Sequence, residues 1–102
     1  MATIEDIKAT IEQHRVVIYM KGSPMMPQCG FSAATIEVFK ALGVKFHTVN
    51  VLADPSVREG VKQLTGWPTI PQVFVDGKFI GGCDIVKEMN ASGELAELLK
   101  PA

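Results

Sequence analysis

Val16-Val17-Ile18-Tyr19-Met20, with the loop that follows it, Lys21-Gly22-Ser23-Pro24-Met25-Met26-Pro27-Gln28-Cys29-Gly30-Phe31-Ser32, sets the architecture of this chain. The pentapeptide is a continuous apolar run rich in β-branched residues, the pattern of a strand buried on both faces and therefore of the middle of a sheet. Glycine, proline and polar residues then break the run. Beyond them Ala34, Val38, Phe39 and Leu42 recur at helical spacing as far as Gly43, a residue suited to end a helix. Cys29 thus stands where a strand gives way to a helix. The unpaired amides and positive end of that helix favour a thiolate, and Lys21 nearby adds to the effect. Its sulfur should be a better nucleophile and metal ligand than an ordinary cysteine. A lone cysteine is more often a small buried hydrophobe, but this one is flanked by Gly, Pro, Gln and Ser, not by an apolar run.

Working outward, Thr3 is placed to cap a first helix that carries Ile4, Ile7 and Ile11 to about residue 14, with Glu5 and Asp6 in its first turn. Val44 to Val51 reads as a second strand. Asp54-Pro55 is a cap followed by proline at the first helical position, and Val57, Val61 and Leu64 carry one helical face to Gly66. Arg58 falls in the first turn of that helix, where a cation is unfavourable. Either an anionic ligand lies near it, or it is a solvated surface arginine. Gln72 to Asp76 and Lys78 to Ile80 form a hairpin signal around Asp76-Gly77. Gly81-Gly82 breaks the last strand, and Asp84 is expected to cap a helix carrying Ile85, Val86 and Met89. Ser92-Gly93 interrupts, and Leu95, Leu98 and Leu99 make a short final helix. The order α-β-α-β-α-β-β-α plus a terminal helix, with one βαβ crossover and a C-terminal hairpin, predicts an α/β thioredoxin-like fold with a four-stranded mixed sheet between helical layers.

A length of 102 residues predicts one domain over the whole chain, residues 1–102. Charged residues at 21% and hydrophobic ones at 47% are those of a soluble globular protein. A net charge of −1 leaves no nucleic-acid footprint. The first residues lack the pattern of a signal peptide, and no apolar run approaches the roughly 18 residues of a membrane span. A cytoplasmic location is expected, although an organelle protein without its transit peptide would look the same. The two cysteines form neither a secreted disulfide framework nor a Cys-x-x-Cys pair, since the second position of that motif is Ser32.

Two further stretches carry chemistry. In Thr69-Ile70-Pro71, a proline at a strand start leaves the preceding backbone free to pair with something else, and a cis bond there would make a fixed corner, though trans is the commoner state. In Gly81-Gly82-Cys83-Asp84, the glycine pair allows close backbone approach and the helix amides suit a carboxylate, while Asp84 can accept from an ammonium group or serve as an ordinary cap. Trp67 is either exposed beside a groove or, more commonly, packed under its Trp-Pro turn. His14 and His47 lie near no ligand motif and are expected to be structural or solvated. Met25-Met26 could mark a partner-facing surface.

Cys29-Gly30-Phe31-Ser32, preceded by Lys21-Gly22-Ser23-Pro24 and Pro27, resembles the active-site loop of the monothiol glutaredoxins of the CGFS type. The resemblance extends to Trp67-Pro68-Thr69-Ile70-Pro71 and Gly81-Gly82-Cys83-Asp84, and so covers nearly the whole chain. It implies a glutathione groove in which Lys21 and Arg58 receive the glycine carboxylate and Ile70 exchanges backbone hydrogen bonds beside a cis Pro71. Cys83 and Asp84 would hold the γ-glutamyl end and Cys29 would face the glutathione sulfur. Gly30 and Phe31 would shape the helix start, although Phe31 could equally be a core or interface aromatic.

A [2Fe–2S] cluster usually takes four thiolates, and one subunit offers at most Cys29 and Cys83. The resemblance implies a homodimer in which two Cys29 thiolates and two glutathione thiols share the cluster. A rival count uses Cys29 and Cys83 of both chains. The function implied is binding a labile cluster and passing it to apo-proteins, with assembly scaffolds, recipient proteins and BolA-type proteins as partners. The alternative is a glutathione-dependent monothiol oxidoreductase acting through Cys29. Against it, the resemblance implies a loop before Cys29 longer than in dithiol relatives, and weak exchange activity. A thioredoxin-like adaptor is the third reading and would need no Cys29.

Overall fold

The computed structural model describes residues 2–101. Helix α1 (Ile4–Gln13) opens with a reciprocal cap: Thr3 Oγ1 accepts from the Asp6 N–H, and the Asp6 carboxylate accepts from the Thr3 N–H at 2.9 Å. Hydrogen bonding to Thr3, first its backbone N–H and then its hydroxyl, holds the Asp6 carboxyl below its usual range. Strand β1 (Val16–Met20) is followed by α2 (Gly30–Leu42), β2 (His47–Asn50), α3 (Pro55–Thr65), β3 (Gln72–Val75), β4 (Lys78–Gly81), α4 (Cys83–Ser92) and α5 (Glu94–Leu98). The sheet order is β2-β1-β3-β4, with β1 and β2 parallel and the other two pairings antiparallel. This is the thioredoxin-like arrangement that the element order predicts.

Strand β1 is buried at all five positions, as its composition requires. Its alternate residues feed two cores. Val16, Ile18 and Met20 pack with Ile36 and Phe39 of α2, Val86 of α4 and Leu95 of α5. Val17 and Tyr19 pack with Ile7 and Ile11 of α1 and Val61 of α3 on the opposite face. Burial pushes the Tyr19 phenol up to about 12. The β3–β4 turn has φ of 50° at Asp76 and 80° at Gly77, the two positive values demanded by a tight hairpin that matches strand twist. Arg15 fastens the C-terminal end, donating to the carbonyls of Leu98, Leu99 and Lys100 and to Asp76.

Two expectations are corrected. The second strand begins only at His47, because its ladder with β1 starts at the pair Val17–His47; Val44 and Phe46 pack against the core outside it. Helix α4 starts at Cys83 with Gly82 as its cap residue, so Asp84 lies in the first turn and caps nothing. Of the two roles expected for His14 and His47, structural or solvated, the structural one is seen: they stack at 4.0 Å and 4°, joining the end of α1 to the start of β2. Burial, then the charge of His14, lowers the His47 pKa. Among the described residues no helix is long and apolar enough to cross a membrane.

Candidate functional site

The loop after β1 is curled back on itself. The Gln28 N–H donates to the Lys21 carbonyl at 2.8 Å, Ser23 and Met26 exchange backbone hydrogen bonds, and Gly22 pairs with Pro27. Gly22 has φ of 95°, and a Cβ there would lie 2.5 Å from Met26 O. From outside the loop, Asn50 Oδ1 accepts from Gly22 N–H at 3.0 Å and Leu52 N–H at 2.9 Å, tying it to the end of β2. Met25 and Met26 are left exposed, the former at 92%.

This curl sets Cys29 as the cap residue of α2, in extended conformation. Its thiol closes no cap hydrogen bond, yet the amides at the helix start face it closely enough to lower its pKa. The Ser32 N–H leads, burial opposes, and the Phe31 N–H, the Ser32 hydroxyl and finally the Lys21 charge assist. Lys21 therefore contributes in the direction expected, but least. Ser32 is fully buried, and its hydroxyl also accepts from the Lys21 N–H at 3.1 Å. It thus joins the end of β1 to the helix that carries the sulfur.

Because the folded pKa is depressed, the thiolate adds stability above the pKa of an unfolded cysteine. That contribution is lost as pH falls through the folded value. The rate of Cys29 alkylation by iodoacetamide is expected to rise with a midpoint below that of an ordinary cysteine. In Ser32→Ala the midpoint moves upward but only part of the way, since the leading amide remains. An unchanged midpoint in that variant would remove the hydroxyl from the account.

Cys29 opens on a cleft of about 400 Å³, within the range of small-ligand sites. Its walls bring together Lys21, Cys29 and Phe31 from the loop and α2, Arg58 from α3, Trp67 to Pro71 from the loop before β3, and Gly82 to Ile85 from the start of α4. Lys21, Cys29, Phe31, Arg58, Ile70, Pro71, Cys83 and Asp84 are all there. Gly30 is not: it is exposed on the first turn of α2, and a Cβ on it would meet nothing within 4 Å. Arg58 Nε is buried without a partner, an orphaned cationic donor in the cleft wall. The Ile70–Pro71 bond is cis. Trp67 is 37% exposed and leans on Phe79 at 5.9 Å, so it forms part of the wall and is not packed beneath its turn. Cys83 is 7% exposed, and both cysteines are free.

Sequence reasoning missed Asn50 and Gln72. Gln72 is fully buried and holds the 67–69 loop by hydrogen bonds. The one available signal was a polar residue opening an otherwise apolar strand.

The fold and the site together define a thioredoxin-like protein with a single thiol of lowered pKa at a helix start, beside a cleft lined by a cis proline and two cationic side chains. Residues 16–80 match the family model described as Glutaredoxin. The chain belongs to the glutaredoxin family, among its monothiol members. It is 46% identical over 101 residues to an uncharacterized ycf64-like monothiol glutaredoxin of Synechocystis sp., covering 95% of this chain and 94% of that protein. Among solved structures, a monomeric truncated mutant of Trypanosoma brucei 1-C-Grx1 superposes with a TM-score of 0.88 at 43% identity, over 97% of this chain and 90% of the other. A buckwheat glutaredoxin–glutathione complex superposes with a TM-score of 0.85 at 27% identity, over 94% and 86%.

Proposed function

We propose that this chain, acting as one glutaredoxin unit, is a glutathione-dependent carrier of a labile [2Fe–2S] cluster. Two copies each contribute Cys29, and two glutathione thiols complete the four ligands. The observation that carries this reading is a mismatch of supply: one thiol of lowered pKa opens on a cleft of about 400 Å³, while no group of three or more His, Cys, Asp or Glu side chains among the described residues could hold a metal ion. A cluster therefore needs thiols from outside the chain, and the cleft is suited to bring one. Cys83 is a poor fourth-ligand donor because its side chain is buried.

Each group in the cleft has a task in that complex. Lys21 and the unpartnered Arg58 guanidinium attract the glycine carboxylate of glutathione. The Ile70 backbone pairs with the cysteinyl unit beside Pro71. The amides at the start of α4 receive the γ-glutamyl carboxylate and the Asp84 carboxylate its ammonium group. Gly30 and Phe31 shape the helix start, and Phe31, 63% exposed, faces outward toward a second subunit. The cluster is cargo, passed in the cytoplasm from assembly scaffolds to apo-proteins, with BolA-type proteins able to replace one subunit.

Anaerobic reconstitution with iron and sulfide, with and without glutathione, tests this. A visible chromophore that forms only with glutathione and elutes at the mass of a dimer is expected. A cluster formed without glutathione, or held by a monomer, overturns the reading. The lowered Cys29 pKa also favours a second one, thiol–disulfide exchange. In it, Cys29 takes glutathione from a glutathionylated protein and a second glutathione removes it. Deglutathionylation by a protein that forms no cluster under any condition would establish that alternative.

A further inference from the structure

We infer that Gln72, which does not itself line the cleft, is a positioning residue that aims the Ile70 N–H into it. The inference rests on the peptide-thiol reading of the cleft given above. Gln72 opens β3 with its side chain fully buried. Its amide group donates both protons, to the carbonyl of Trp67 at 3.0 Å and to that of Thr69 at 3.2 Å. Its Oε1 shares the single proton of the Thr65 hydroxyl, at 2.9 Å, with the Val61 carbonyl at 3.1 Å, and that hydroxyl accepts from the Trp67 N–H at 3.0 Å. The Gln72 amide can satisfy this pattern in one orientation only, since a flipped amide would set its oxygen against two carbonyl oxygens.

The consequence follows from peptide geometry. The Thr69–Ile70 bond is trans, so its carbonyl and its N–H point in opposite directions. With the Thr69 carbonyl drawn inward to Gln72, the Ile70 N–H is turned outward, toward the cleft that Ile70 lines. No backbone hydrogen bond within the described residues closes on Ile70, and the ladder of β1 with β3 ends one residue short of Pro71, at the pair Tyr19–Gln72. Ile70 is therefore a free donor whose direction is set from behind by a buried amide. A peptide carbonyl is the group that such a donor selects, so Gln72 acts on the recognition of peptide thiols and leaves the intrinsic reactivity of Cys29 alone.

The test compares reagents that differ in whether they carry a peptide. In the reaction with glutathione disulfide, the Cys29 thiolate attacks one sulfur, a Cys29–glutathione disulfide forms, the reagent disulfide breaks, and one glutathione departs as thiolate. The same attack on 2-hydroxyethyl disulfide lacks the peptide, and iodoacetamide reads thiolate reactivity alone. In Gln72→Met, of similar volume, the rate with glutathione disulfide is expected to fall about tenfold, the worth of one well-aimed hydrogen bond. The rates with the other two reagents should hold within about twofold, a split that general loosening of the fold would not give. Thr65→Val, which leaves both Gln72 donors in place but removes the support of Oε1 and the acceptor of the Trp67 N–H, should move the same ratio in the same direction and serves if Gln72→Met does not fold. A preference for glutathione disulfide preserved in a folded variant overturns the role of Gln72. No such preference in the unaltered chain overturns the cleft reading itself.

Discussion

Serine in place of Cys29 is expected to abolish the glutathione-dependent chromophore completely, whereas serine in place of Cys83 leaves it. The asymmetry follows from the two environments. Cys29 is the cap residue of α2, with the Ser32 and Phe31 amides lowering its pKa, so it yields a thiolate more readily than an ordinary cysteine, and a serine hydroxyl, with no comparable acidity, does not replace it. Cys83 opens α4 and is almost fully buried, so its replacement removes a small packed group and no accessible ligand. Reconstitution of the three proteins side by side, read by visible absorption with iron and sulfide analysis, decides the matter. Equal loss in both variants would favour four protein thiolates, and a chromophore retained in Cys29→Ser would remove Cys29 from the ligand set.

Alanine in place of Gly22 is expected to be the most damaging small substitution in the loop, costing about 2–5 kcal/mol, the sum of a left-handed backbone penalty and overpacking. Gly22 holds φ of 95°, and the new Cβ would meet Met26 O at 2.5 Å and Gln28 N at 2.7 Å. Both are backbone atoms of the same curl. Neither yields without stretching the Gln28–Lys21 bond or the Gly22–Pro27 bridge. The loop would then release Cys29 from the helix amides, and the alkylation midpoint should rise along with the loss of stability. Urea unfolding measures the first effect and the iodoacetamide profile the second. Gly30→Ala is the control, since a Cβ there has open space and should change stability by less than about 1 kcal/mol. A Gly22→Ala protein as stable as the unaltered chain would contradict the close packing of the curl.

Much of this protein is legible in local pattern. The unbroken apolar run of β1 could only belong in the centre of a sheet, because each of its faces needs a helix to cover it, and two separate cores do so. Asp76-Gly77 determined the hairpin, since few residue pairs accept two positive φ values. Thr3 and Asp6, Asp54 and Pro55, and the glycines at positions 43 and 66 marked helix ends through chemistry that acts within a few residues. The thiol at a strand-to-helix junction was determined in the same way, and with it the reason for an acidic sulfur.

What only the tertiary structure decided involves partners distant in sequence. The loop that carries Lys21 and Cys29, and Arg58, Ile70 and Asp84, come from separate segments, and nothing in their local spacing requires them to line one cleft. The late start of β2 depends on where β1 lies beside it, and the stacking of His14 on His47 depends on a helix end meeting an edge strand. Asn50 and Gln72 look like ordinary polar residues until their amides find carbonyls and N–H groups of other loops. Periodicity records which face a residue presents, whereas the partner of a buried hydrogen-bonding group is chosen only when the layers close and every such group must be paired.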